Sequence, residues 1–326
     1  MSKKVTLYIT GLLLLVLLAT GCSSENEDSS STEGESEDTA ASEENSEETS
    51  ERTLKHAMGE ITLKEKPERI LAPYLEDSLV ALGEKPVAQW SIGETVLNYL
   101  QPQLEGVPKV GWDLPVEQTI EQNPDLIIFS APSALQNGSY EDYASIAKTY
   151  VFDEETGADW RQQLTTMGEI LNKQNEAEQV LSDFDQKAEE ASSTIKENIG
   201  DESVAFVWTM GEQFYVFDEN RYGAEIFYNE MGIAKPDFLQ SLPEEGEQWN
   251  PVALEKLGEL DAEHVFLIGN EGEPGFEILE NSSVWQNTPA AQNGQVYEMN
   301  DPSHWTIDGV IAHEMSIDQM VDTLSK

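Results

Sequence analysis

The chain has 326 residues, enough for two medium α/β domains with extensions, and sets 18 basic side chains against 63 acidic ones for a net charge of −45. That excess excludes a nucleic-acid partner, because phosphate binding needs a basic face. A single cysteine, Cys22, excludes a disulfide framework and a cysteine-rich metal site.

Residues 1–22 open with Lys3 and Lys4, continue through the apolar run Gly11–Leu18 and end in Leu18-Ala19-Thr20-Gly21-Cys22. The run is short for a spanning helix. The pattern resembles a bacterial lipoprotein signal peptide, with Ala19 where the lipobox prefers Leu. The resemblance implies cleavage before Cys22, diacylation of its thiol and a lipid anchor on the extracytoplasmic face of the cell membrane. A Gram-positive outer leaflet suits the long tether that follows. Residues 23–52 form that tether: 23–51 hold 12 acidic and no basic side chains and no large apolar residue, so they are expected to stay disordered. Beyond residue 51 there remain 16 basic and 51 acidic residues. The acidity is therefore spread over the folded part, as a solvated surface or as an adaptation to salt or alkali.

Lys55–Leu63 reads as a hairpin turning at Met58-Gly59. Pro67–Ala72 reads as a strand, Leu75–Leu82 as a helix closed by Gly83, and Lys85–Trp90 and Val107–Gly111 as further strands. The clearest unit is Val116–Ser130: a helical lead-in, a turn at Pro124-Asp125, and the apolar run Leu126–Phe129 of a buried strand. Leu254–Gly269 echoes it, with Glu255 matching Glu117 and Glu263 matching Asp125. Strand–helix–strand alternation with this echo predicts an α/β fold of two doubly wound lobes with parallel sheets.

Between the lobes, Trp160, Leu164, Met167 and Leu171, then Val180, Phe184, Ala188, Ala191 and Ile195, recur at helical spacing. They predict two helices over 159–200, breaking near Asn172–Asn175, with Asn175 and Glu178 as a capping box. The N-terminal lobe then occupies 53–158 and the C-terminal lobe 201–326. In the latter, strands are expected at Ser203–Trp208, Gln213–Phe217, Val265–Ile268 and Val296–Met299. Helices are expected at Tyr222–Met231, capped by Gly232, at Val252–Leu257 and, to close the chain, at Asp318–Leu324.

The order His-Ala-Met-Gly-Glu (56–60), Pro-Glu-Arg-Ile (67–70), Ala-Leu-Gly-Glu-Lys-Pro-Val (81–87), Glu-Gln-Thr-Ile (117–120) and Asn-Pro-Asp-Leu-Ile-Ile (123–128) resembles the ferric-siderophore and vitamin B12 binding proteins of ABC importers. The resemblance spans Lys55–Leu324 and implies two lobes joined by a single long helix that limits their hinge. It also implies a surface Glu on each lobe, here Glu117 and Glu255, that pairs with permease arginines. Glu in a first helical turn is also favoured by the helix dipole alone.

No Gly-x-Ser-x-Gly, phosphate loop or His-Glu-x-x-His appears, and an enzyme is not expected. Four histidines are few for a direct zinc or manganese receptor. Aromatics instead gather at predicted strand ends and loops, where α/β sheets bind ligands: Tyr74, Trp90, Trp112, Trp208, Tyr215, Tyr222, and His304 with Trp305. Any one of them could equally be core. By the resemblance, Trp305 matches a ligand-stacking Trp of hydroxamate-type receptors. Arg221 lies one residue from the place where those receptors carry an Arg. Of four arginines, Arg221 alone falls in an expected cleft loop, which is too little cation for a triply charged ferric catecholate. The expected ligand is a ferric siderophore of hydroxamate or citrate-hydroxamate type, carrying iron only as the chelate, with no cofactor or bare metal site of the protein's own. Cobalamin, or a bare Zn or Mn ion, is the alternative. The expected partners are an ABC permease with its cytoplasmic ATPase and the membrane, through the anchor, for a monomeric receptor.

Overall fold

The computed structural model describes residues 51–243, 249 and 251–326. The expectations for the signal peptide, Cys22 and nearly all of the tether lie outside the described residues. An antiparallel hairpin, β1 (Arg52–His56) and β2 (Gly59–Leu63), comes first, with its turn at Ala57-Met58, one residue before the expected place. In the N-terminal lobe β3 (Ile70–Leu71) leads into helix α1 (Glu76–Ala81), which ends at Gly83 in the left-handed region. Then follow β4 (Gln89–Ser91), α2 (Gln101–Leu104), β5 (Lys109–Gly111), α3 (Val116–Gln122), β6 (Leu126–Phe129), α4 (Tyr140–Ala144) and β7 (Lys148–Val151). β3, β6 and β7 form one parallel sheet and β4 with β5 a second parallel pair.

β6 falls where the apolar run placed it, and all four of its side chains are buried. Each such burial contributes about 1.5–3 kcal/mol, which explains why the run fixes the strand. Asn123 ends α3 by taking a left-handed conformation. Asp125 then accepts the backbone N–H groups of Glu68 and Arg69 at 2.9 and 3.0 Å, tying the start of β3 to β6. Its counterpart in the other lobe does the same work, since Glu263 accepts the Ser203 backbone N–H at 2.8 Å ahead of the paired strands there. The sequence echo is thus a repeated strand-start clamp.

Helices α5 (Glu154–Ala158), α6 (Trp160–Leu171) and α7 (Gln174–Ile199) link the lobes. Asp159 caps α6 by accepting the N–H groups of Arg161 and Gln162. At 26 residues α7 is about 39 Å long. It begins at Gln174 behind Lys173, with no side-chain cap, so the expected Asn175–Glu178 box does not form. Asn172 turns left-handed to end α6, while the Lys173 ammonium is drawn to the Leu82 carbonyl and Glu84, both at 2.6 Å.

In the C-terminal lobe come β8 (Val204–Met210), β9 (Gln213–Val216), α8 (Gly223–Glu225, continued by a π-helical turn to Glu230), α9 (Leu254–Leu257), β10 (His264–Ile268), α10 (Pro274–Glu280), α11 (Pro289–Asn293), β11 (Val296–Met299) and α12 (Val310–Leu324). The sheet order is β11-β10-β8-β9, parallel except for the antiparallel edge strand β9. The expectation of a wholly parallel sheet fails there, because the two-residue connection from β8 admits only a hairpin.

The last helix is longer than expected and does not stay with the lobe to which 201–326 was assigned. α12 packs on α7 and on α1 of the N-terminal lobe. Its N-terminus has no local side-chain cap. The carboxylate of Asp77, on α1, supplies one, accepting the N–H groups of Ile311 and Ala312 at 3.1 Å each and the Tyr99 hydroxyl at 2.9 Å. Leu97, Leu100 and Leu104 pack with Ile307 and Ala312 around this clamp, and Ser303 accepts the Tyr99 N–H. A Cβ on Gly309 would lie 2.3 Å from Asp77 Cγ. Gly309→Ala should therefore destabilise the fold by about 2–3 kcal/mol despite its permitted extended backbone. A lowered urea midpoint at unchanged slope would show it, and an unchanged midpoint would mean that the clamp tolerates a methyl group.

Candidate functional site

The carboxyl ends of β3, β4 and β5 carry one aromatic wall. Tyr74 follows β3 with φ 68°, an uncommon conformation for a side chain of its size. Its ring packs 5.3 Å from that of Trp90, in β4. Trp112, just past β5, is 49% exposed. These three, with Pro73, Phe129 and Ser130, line a cleft of about 300 Å³.

The C-terminal lobe carries the other wall. Trp208 and Tyr215 are cross-strand partners on β8 and β9, with rings 5.2 Å apart. Trp249 packs on both, at 5.3 and 5.6 Å, and on Phe217 and Tyr222, at 5.1 and 5.9 Å. The Arg221 guanidinium lies 4.4 Å above the Trp249 ring, with Asp218 at 3.6 Å. Tyr222, like Tyr74, has a positive φ, 48°.

Acidic groups underlie the walls. Glu76 is fully buried; its Oε1 accepts the Trp90 N–H at 2.6 Å, while Oε2 has no hydrogen-bond partner among the described residues. Burial pushes Glu76 up to about 7, against the pull of backbone N–H groups. Burial likewise pushes Asp77 up to about 6, opposed by its three hydrogen bonds. Asp308 keeps 38% exposure, yet desolvation, and then Glu225, push it up to about 7, with Arg221 pulling the other way. The Tyr74 phenol is raised by desolvation first and then by Tyr222, Asp308 and Glu76, which places tyrosines of both walls within electrostatic reach of each other and of Asp308.

Of the expected ligand residues, Tyr74, Trp90 and Trp112 gather in the N-terminal cluster and Trp208, Arg221 and Tyr222 in the C-terminal one. Tyr215 is 7% exposed and supports Trp208 and Trp249 from beneath. Trp305 and His304 do not join them. Trp305 is fully buried against Phe206, Phe227 and Phe266, and its indole N–H donates to Gln319 Oε1 at 3.0 Å. His304 is buried beside it on the same Gln319 oxygen, at 3.1 Å. The polar residues around them suggest a loop, but the Ser303 hydroxyl accepts the Tyr99 N–H and the Thr306 hydroxyl donates to the Pro302 carbonyl, so the segment folds inward. The cleft Trp that it missed is Trp249. That residue carries the same signal, a lone aromatic in the polar stretch Pro243–Pro251. Asp77 and Asp308 gave no signal in so acidic a chain.

Glu117 and Glu255 stand in the first turns of α3 and α9, both exposed and neither in an ion pair among the described residues. The four histidines are scattered: His56 lies against Tyr140 and Tyr150, His264 bonds Tyr297 and Glu202, and His313 is buried between Trp160 and Phe184. Among the described residues no group of three or more His, Cys, Asp or Glu is placed to hold a metal ion, and no helix is long and apolar enough to cross a membrane.

Two α/β lobes, each with an aromatic cluster, bridged by a long helix, define a solute-binding receptor fold. A family model for periplasmic binding proteins matches residues 74–302, and the chain belongs to that family. It is 27% identical over 333 residues to the iron(3+)-hydroxamate-binding protein YxeB of Bacillus subtilis (strain 168), covering 99% of this chain and 98% of that one. It is also 27% identical to the probable siderophore-binding lipoprotein YfiY of the same organism, covering 98% of each chain. Among solved structures, a FhuD fold-family periplasmic binding protein component of a Fep/Fec-like ferrichrome ABC transporter from Bacillus subtilis superposes with TM-score 0.66 at 25% identity, covering 80% of this chain and 98% of that one. Staphylococcus aureus SirA complexed with staphyloferrin B has the same fold, with TM-score 0.69 at 24% identity and coverage of 84% and 98%.

The buried carboxyls set a pH dependence. Glu76 and Asp77 have folded values above their ordinary 4.5 and 3.8, so the folded state holds protons that the unfolded chain has released. Their contribution to stability is complete below about pH 4 and is lost as pH rises through about 6 and 7. Urea unfolding should therefore show higher stability at pH 5 than at pH 8. Glu76→Gln should remove on the order of 1–2 kcal/mol of that difference. Equal slopes for the variant and the parent would contradict the assignment.

Proposed function

We propose that this chain is an extracytoplasmic receptor that binds a ferric siderophore between its lobes and delivers it to an ABC importer, making and breaking no bond. The observation that carries the reading is the pair of aromatic clusters, Tyr74, Trp90 and Trp112 on one lobe and Trp208, Trp249 and Tyr222 on the other, with the Arg221 guanidinium on the C-terminal one. Flat apolar faces suit the ligand backbone of a chelate, and a guanidinium suits its metal-bound oxygens. One cation among several carboxyls suits a near-neutral ferric hydroxamate or citrate-hydroxamate better than a triply anionic catecholate. Similarity to relatives described as hydroxamate- and siderophore-binding proteins supports the same ligand class.

In this reading Glu117 and Glu255 dock the permease, whose cytoplasmic ATPase drives uptake. Diacylated Cys22 holds a monomeric receptor to the outer leaflet of the cell membrane, where the acidic tether gives it reach. The iron belongs to the cargo, and the receptor needs no cofactor.

Tryptophan fluorescence tests the ligand class. Saturable quenching is expected with a ferric hydroxamate, and not with a ferric tris-catecholate, cobalamin or Zn²⁺, each corrected for inner-filter loss. Arg221→Ala and Trp249→Ala should each weaken binding about tenfold or more, roughly 1.4 kcal/mol. Trp305→Ala should lower the unfolding midpoint instead. Saturation by cobalamin or the catecholate would keep the receptor and overturn the ligand class; a response to Zn²⁺ alone would overturn the siderophore reading.

A further inference from the structure

Among the described residues, most of the exposed large apolar side chains have a local role. Tyr74 and Trp112 line the N-terminal cleft, Ile92 sits in the turn after β4, and Met58 and Met210 sit at hairpin turns. Ile120 and Val284 remain, 56% and 40% exposed. Each accompanies one of the two exposed glutamates that open α3 and α9. Ile120 stands one turn after Glu117 on α3, so the two side chains are surface neighbours. In the register of the sequence echo, Glu255 corresponds to Glu117 and Gly258 to Ile120, so the second lobe has no side chain at that place. Another segment supplies one. A Cβ on Gly258 would lie 3.0 Å from Val284 Cβ and 3.2 Å from the Glu255 carbonyl oxygen. The nearby Lys256 pairs with Glu259 at 2.6 Å and leaves Glu255 outside any ion pair among the described residues. Both lobes thus present one group, an exposed aliphatic side chain beside an exposed glutamate, and build it from different parts of the chain.

An exposed ion pair strengthens association by about fivefold at most. In a chain of net charge −45, a basic surface would find many such partners. Glu117 and Glu255 alone therefore set neither affinity nor register. Burying the exposed part of an Ile or Val side chain contributes about four- to tenfold and excludes water from the ion pair beside it. We infer that Ile120 and Val284 are docking residues, each seating in an apolar recess beside the cation that meets Glu117 or Glu255. A group repeated on two lobes fits a partner that repeats one recess, as the two membrane-spanning subunits of an importer do. The inference rests on the reading of this chain as an importer's receptor, and deepens it by naming the apolar contacts that fix where the partner sits.

The test uses the full-length chain, carried as the sole copy in its source organism. Uptake of radiolabelled iron as ferrioxamine B, a ferric trihydroxamate, is measured beside the fluorescence affinity and unfolding midpoint of each purified variant. Ile120→Ser and Val284→Ser should each lower the initial uptake rate about fivefold, and together about twentyfold, with affinity and midpoint unchanged. Ile120→Leu should keep the rate. So should Met58→Ser, which removes a comparably exposed apolar side chain elsewhere. A benzophenone amino acid at position 120 or 284, irradiated in cells, should crosslink to a membrane-spanning importer subunit identified by peptide mass, and at position 58 it should not. Unchanged uptake in the double variant, an equal fall in Met58→Ser, or no importer crosslink from 120 and 284 would each overturn the inference while leaving ligand binding intact. A fall in affinity or midpoint in step with uptake would assign the two side chains to the cleft or the fold, and would overturn it too. Should the unaltered chain neither bind ferrioxamine B nor crosslink to an importer subunit, the receptor reading itself would fall, and this inference with it.

Discussion

Much of the molecule turns on one carboxylate. Asp77, on the first helix of the N-terminal lobe, occupies the place of a missing cap at the start of the C-terminal helix. Two backbone N–H groups and a phenol converge on it in an apolar surround formed by Leu97, Leu100, Leu104, Ile307 and Ala312. The start of a 15-residue helix and the converging donors favour a charge on it, but burial outweighs them and raises its value to about 6. Removing it would strand three buried donors at about 1–3 kcal/mol each. The bond joins positions more than two hundred residues apart, so it closes the fold as a loop and makes α12 a second bridge between the lobes beside α7.

The cleft inherits its geometry from that closure. Tyr74 and Glu76 lie just before Asp77 on one side of the clamp, and Asp308 and Gly309 just before its N–H donors on the other. Fixing Asp77 against Gly309 therefore fixes both halves of the charged floor at once. The left-handed backbone of Tyr74 and Tyr222 belongs to the same logic, since such conformations persist where surrounding structure enforces them and are common at binding sites. Glu76 extends the arrangement outward, because its bond to the Trp90 backbone ties the aromatic wall to the clamped helix.

What could be read from residue order was whatever depends on local chemistry. Leu126–Phe129 gave a strand because four consecutive apolar residues bounded by Pro124-Asp125 and Ser130 have few other uses. The stripe Phe184, Ala188, Ala191 and Ile195 gave the long helix. Glu263 echoed Asp125 because both lobes need an acceptor at the same strand start. What escaped was set by distant partners. The first turns of α12 were missed because their cap comes from Asp77, and α7 ignored its own Asn175–Glu178 signal because Lys173 had better partners in Leu82 and Glu84. Trp305 and Trp249 have near-identical surroundings in sequence and opposite fates in space. Only the partners of the neighbouring polar groups, internal for Ser303, His304 and Thr306, distinguish them.

If the Asp77 clamp governs the cleft, the two lobes are held in one relation before any ligand arrives. The direct measurement is the distance between spin labels placed on the two lobes, through Glu121→Cys and Glu277→Cys in a protein with Cys22→Ser, using pulsed electron resonance. One narrow distribution is expected, with a mean that moves by less than about 2 Å when a ferric trihydroxamate is added, and a broad distribution in Asp77→Ala that the ligand narrows. A distribution in Asp77→Ala as narrow as that of the parent would contradict it.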